Sequence, residues 1–165
     1  MDGEMNPSKP FAERLAAGKE FEETASKFLT SLGWPIGLHF SAKGQWEMGE
    51  SAAHVEIKND NKFPETGNLF IETRERRDSS GLSQWRNAGI YDASDPWFFL
   101  IGNPSVLWLL SVRWLRLMHQ TEKYRKITLE TAEGFVIPVT VANHICIIKW
   151  EAWGVIHQPT QPPKT

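Results

Sequence analysis

The octapeptide AHVEIKND, residues 53–60, alternates apolar and polar positions, so an extended strand would put Val55 and Ile57 on one face and His54, Glu56 and Lys58 on the other. An acid and a lysine two residues apart are expected about once by chance in a chain of this length. The surroundings of the pair must therefore separate a reactive site from the wet face of an ordinary strand, where an exposed ion pair is worth little.

Working outward, the polar connection NDNKFPETG, residues 59–67, leads to a second strand-like run, NLFIETR, and is long enough for the two strands to pair antiparallel. Upstream, WPIGLHFSA reads as a further strand. Before it, residues 11–33 carry apolar side chains at 11, 15, 21, 25, 28, 29 and 32, the spacing of an amphipathic helix stopped at Gly33. On that helix Glu22 falls at the edge of the apolar stripe, between Leu15 and Leu29, while Glu20 and Glu23 point away from it. Downstream, SSGLSQWRNAG suggests a short helix capped by Ser80 or Ser83, and PWFFLIG a buried strand. A second helix is expected over about 104–119, a hairpin near Glu133 and Gly134, and a last segment at 144–150. Helices alternating with strands indicate an α/β fold.

The 165 residues suit one domain, expected over 10–156, with flexible tails at 1–9 and 157–165. An apolar fraction of 41% and a charged fraction of 23% are those of a globular protein. The net charge of −2 gives no general attraction to polyanions, so any nucleic-acid contact must come from local basic clusters. Eight tryptophans are expected mainly in the core. Cys146 is the sole cysteine and sits in the apolar run HICIIKW, as a buried thiol of a reducing compartment would. Without a signal-like start or an uninterrupted apolar span, a cytoplasmic, non-membrane protein is expected.

Three features share one chemistry: Glu22 on a helix face, Glu50 in a turn before the strand, and Glu56 with Lys58 on one strand face. Hard carboxylate oxygens suit Mg²⁺ or Mn²⁺, which bind through one or two carboxylates and substrate phosphate. A nearby ammonium can position water and balance charge on the phosphate. Glu72, on the face of Asn68 and Phe70, and Gln84 are accessory candidates, while His54 reads as structural. Arg74, Arg76, Arg77 and Arg86 read equally as a cluster able to hold a DNA backbone without reading bases and as a solvated loop, since RERRDSSG also contains Glu75 and Asp78. The later RWLRLMHQTEKYRK reads as a packed helix with a charged outer face.

The runs GKEFEETASKFLTSLGW, GESAAHVEIKND, TGNLFIE, SGLSQW and SDPWFFLIG, spanning about residues 18–102, resemble the PD-(D/E)XK nuclease superfamily. The resemblance is to its small phage-like and mobile-element members. It implies a restriction-endonuclease-like core, a mixed central β-sheet flanked by helices. It also assigns Glu50 and Glu56 as the two acids of the signature, Lys58 as its lysine and Glu22 as the helix acid; Glu50 stands where the superfamily more often has Asp. The implied activity is Mg²⁺- or Mn²⁺-dependent hydrolysis of DNA phosphodiester bonds. The alternative is a catalytically silent DNA-binding or assembly module on the same fold. A Holliday-junction resolvase is the special case that would require a homodimer.

Overall fold

The computed structural model describes residues 8–33, 54–76, 83–152 and 156–157, with backbone only for 8–17 and 156–157. In chain order the elements are helix α1 (Ser8–Ser31), strand β1 (Val55–Asn59), the one-turn helix α2 (Phe63–Thr66), β2 (Asn68–Glu75) and β3 (Arg86–Asn87). A 3₁₀ turn at Gly89–Tyr91 follows, then β4 (Phe98–Asn103), β5 (Val106–Ser111), helix α3 (Val112–Gln120), β6 (Lys126–Thr128), β7 (Ala132–Pro138), helix α4 (Val139–Ile145), β8 (Ile148–Glu151) and β9 (Ile156–His157). The chain is thus α/β. Its described strands form a five-stranded mixed sheet in the order β1-β4-β5-β8-β9 and a four-stranded antiparallel sheet in the order β3-β2-β7-β6. In the mixed sheet only β1 and β4 run parallel.

Alternation along the central strands creates two cores. Val55, Ile57, Leu100, Leu107 and Leu109 point to one face, where they bury Phe21, Ala25, Phe28 and Leu29 of α1. Phe99, Ile101, Trp108 and Leu110 point to the other and meet Leu69, Ile71, Phe135 and Ile137 of the second sheet. The result is three layers, α1, mixed sheet and antiparallel sheet, with the middle layer apolar on both faces. Each large side chain buried in this way contributes about 1.5–3 kcal/mol. Helix α1 ends as its sequence requires: Gly33 adopts φ +78° and donates its N–H to the Thr30 carbonyl at 2.9 Å.

Several sequence expectations are corrected. β1 and β2 do not pair with each other. β1 joins β4 in parallel, and β2 joins β3 and β7 in the other sheet. The connection is no simple hairpin loop: Asp60 at its start and α2 within it turn the chain out of the first sheet. Residues 83–91 hold no α-helix, only β3 and a 3₁₀ turn. The helix expected over 104–119 splits in two, because Asn103 Oδ1 accepts hydrogen bonds from the N–H groups of Ser105 and Val106 and folds a hairpin into β5 before α3 begins. Glu133 and Gly134 lie within β7, and the β6–β7 turn falls at 129–131. Of the described tryptophans only Trp108 is buried; Trp97 and Trp114 are about 60% exposed. Cys146 is buried as expected, and burial pushes its thiol pKa up. The strand expected at 34–42, Glu50, Arg77, Ser80 and both tails lie outside the described residues.

His119 closes one end of the inter-sheet core. Its ring stacks on Phe135 at 5.3 Å, and its Nδ1 lies 3.0 Å from the Tyr91 hydroxyl. Burial first, and Lys126 second, lower its pKa from the usual 6.5. The folded state therefore favours the neutral ring, so this contribution to stability is complete above about pH 6.5 and is lost as pH falls through the lower folded-state value. Urea midpoints are expected to drop between pH 7 and 5, with a smaller drop for His119→Phe. Parallel pH profiles for the two proteins would contradict this.

Candidate active site

The functional question sits where β1 leaves its sheet. Opposite Val55 and Ile57, Glu56 and Lys58 face the layer between the sheets, and this face is not wet: Glu56 is only 6% exposed. Lys58 Nζ lies 3.0 Å from Glu56 Oε1 and 2.8 Å from Glu72 Oε2 on β2. Two carboxylates from two sheets thus share one ammonium. The triad carries one more negative charge than positive. Glu72 Oε2 is buried and accepts no hydrogen bond from a described residue, so its contact with Lys58 is ionic without hydrogen-bond geometry. The Lys58 side chain is 30% exposed and opens onto a pocket of about 550 Å³.

Two glycines let Glu72 occupy this place. It pairs with Gly134 across the β2–β7 ladder, just before a register shift between Glu72 and Arg74. A Cβ at Gly134 would lie 2.1 Å from the Ile71 carbonyl oxygen, and one at Gly89, which has φ +54°, would lie 2.3 Å from that of Glu72. Neither position accommodates a side chain without moving β2.

Asp60 sets the geometry between the strands. Its Oδ1 accepts hydrogen bonds from the N–H groups of Lys62 at 3.0 Å and Phe63 at 3.2 Å, and its Oδ2 accepts one from Phe70 N–H at 3.0 Å. One carboxylate therefore opens the turn into α2 and ties the end of β1 to β2, two residues from Glu72. Those contacts make Asp60 the residue that organises the turn beside the two glutamates. The sequence did signal this: Asp before Asn-Lys-Phe-Pro is an Asx turn leading into a proline-started helix.

Glu22 is half-buried at the edge of the α1 stripe, as the helical wheel indicates. The buried stripe of α1 packs on the Val55 and Ile57 face, opposite Glu56 and Lys58. Among the described residues no three acidic, histidine or cysteine side chains gather as a metal-ligand set. Gln84 is exposed in the irregular segment before β3. His54, with φ +54°, stacks on Trp97 at 4.8 Å.

Two of the four arginines, Arg74 and Arg76, come together on one face of β2, while Arg86 pairs across the ladder with Glu75 on the other. The guanidinium groups of Arg74 and Arg76 lie 5.8 and 4.8 Å from the ring centre of Trp85, a partner the sequence reading missed. Arg74 also pairs with Glu133 at 3.2 Å, Arg86 with Glu75, and Arg76 Nε donates to the Glu130 carbonyl. The cluster is thus ordered and partly neutralised by its own glutamates.

No family model, curated protein or solved structure matches this chain. Among the described residues no helix is long and apolar enough to cross a membrane.

Proposed function

We propose that the protein is a metal-dependent nuclease hydrolysing DNA phosphodiester bonds, with a restriction-endonuclease-like core built on the mixed sheet. The observation that carries this reading is the Glu56–Lys58–Glu72 triad: a buried carboxylate, a second one with an oxygen lacking a hydrogen bond, and a part-exposed ammonium at the mouth of a pocket. Such a donor set fits a hard divalent cation, which needs only one or two carboxylates besides water and phosphate. Glu56 and Glu72 would hold it, with Glu50 as the further acid that the resemblance implies; Glu22 stands on a helix packed against the opposite face of β1, which removes it from this ligand set. When bound, Mg²⁺ or Mn²⁺ would neutralise phosphate charge and acidify water. Lys58 holds a positive charge where the scissile phosphate would approach and offsets the negative charge that develops there. Glu56, fixed by burial, orients Lys58.

Incubating the protein with single-stranded, duplex, flapped and four-way DNA, with Mg²⁺, Mn²⁺ or excess chelator, tests the reading. Cleavage that requires metal supports it. DNA binding without cleavage under any condition would favour the catalytically silent module. The arginine cluster supplies a separate prediction. Replacing Arg74, Arg76 and Arg86 with alanine should weaken DNA binding and reduce the slope of log K against log salt by at most about 3, with little change in sequence preference. An unchanged salt slope would remove the cluster from the interface.

A further inference from the structure

The pocket beside the triad has a second wall whose chemistry differs from the first. Phe70 shares one face of β2 with Asn68 and Glu72, the face that meets Lys58, and Leu69 and Ile71 are buried on the other. Together with Val136 on β7, Ile127 on β6 and Leu129 beyond it, Phe70 lines the pocket that Lys58 and Glu72 also line. A sheet face open to solvent is ordinarily polar. Here it is a concave apolar surface, and Leu129 within it is 51% exposed. Lys62 and Arg125 complete the rim, both exposed and neither in an ion pair with a described residue. A cavity of about 550 Å³ is of small-ligand size.

A ligand matching all of this has a flat apolar body and an anionic handle, held so that the handle meets Lys62 and Arg125 while the body lies against Phe70. An intact duplex offers only phosphates and sugars to such a cleft, because its bases are stacked inside. The geometry points to an unpaired nucleotide: the pocket takes the base of a single-stranded or extruded residue next to the phosphate at the triad, so the substrate class is DNA with unpaired bases. This inference deepens the nuclease reading and rests on it for DNA as the ligand. Its physical basis is that a base set against an aromatic wall gains stacking energy whatever its identity, whereas a phosphate contact alone does not distinguish paired from unpaired strands.

The test is fluorescence anisotropy in excess chelator, where no cleavage is needed, on three labelled DNAs: a perfect duplex, the same duplex with one bulged thymidine, and the same bulge carrying an abasic sugar. The bulged thymidine is expected to bind about tenfold more tightly than the duplex, as one stacked base allows, and the abasic bulge to lose most of that gain. Phe70→Ala should abolish the preference while leaving duplex affinity in place. Leu129→Asp, at an exposed position where folding is not at risk, should do the same. Equal affinity for all three DNAs, an abasic bulge bound as tightly as the thymidine bulge, or a preference surviving Leu129→Asp would each overturn the inference. The two readings fail separately. Metal-dependent cleavage without base preference leaves the nuclease and removes the pocket's role, and base preference without cleavage does the reverse. Absence of DNA binding overturns both.

Discussion

Replacing Lys58 with alanine is expected to lower metal-dependent DNA cleavage by about 10²- to 10³-fold, the usual loss when one group that stabilises transition-state charge is removed. Glu56→Gln should do at least as much, since it keeps the volume of a buried side chain and removes its charge. The two variants should differ in stability. Without Lys58, Glu56 and Glu72 face each other across the sheets with no shared cation, and removing one partner of a buried pair costs up to about 3–5 kcal/mol. With Lys58 30% exposed, the cost should fall near the lower end. Glu72→Gln relieves the surplus negative charge of the triad and is expected to leave stability unchanged or slightly raised while activity drops. Single-turnover cleavage and urea denaturation on the same preparations give both readouts. Wild-type rates in Lys58→Ala and Glu56→Gln would end the catalytic assignment.

Asp60→Ala is expected to have the largest effect on the fold around the site, roughly 3 kcal/mol, because three backbone N–H groups lose a charged acceptor at once. Asp60→Asn should recover part of it: one amide oxygen can still serve the turn into α2, but the amide nitrogen cannot accept from Phe70 N–H. Cleavage should fall with stability in both, since the β1–β2 tie positions Lys58 against Glu72. Normal urea midpoints for Asp60→Ala would show that the turn holds without it.

The parts of the fold that were legible are those where one periodicity rules. β1 reads directly because Val55 and Ile57 are apolar and their neighbours polar, and α1 because its stripe is regular. The run VLWLLSVRWLRLM was misread since β5 is buried on both faces, which leaves no alternation, and it passes into α3 with no polar break. The partnering of β2 was hidden for another reason. Adjacent strands usually pair, but the Asp60 turn and α2 send this one to a sheet completed by β7, and no local pattern records a partner so far along the chain. For the site, Glu56, Lys58 and Glu72 were each visible as polar positions on strand faces. Their meeting depended on two glycines whose roles appear only in three dimensions, and on a turn whose Asx signal does not tell which strand it ties. Phe70, Lys62 and Arg125 gave no signal, since a single aromatic in a strand and scattered surface cations are ordinary.

The β2–β7 ladder pairs Asn68 with Pro138 and Glu72 with Gly134, joining positions more than sixty residues apart. During synthesis, Lys58 and Glu72 leave the ribosome long before the strand that fixes Glu72 in place, and α1 can settle against β1 only once β4 and β5 have supplied the rest of its floor. Loops of that length close slowly and late. The charged triad is therefore among the last features to form, and a truncated or partly folded chain carries the glutamates and the lysine without their arrangement. The proposed activity would be tied by topology to a completed second sheet.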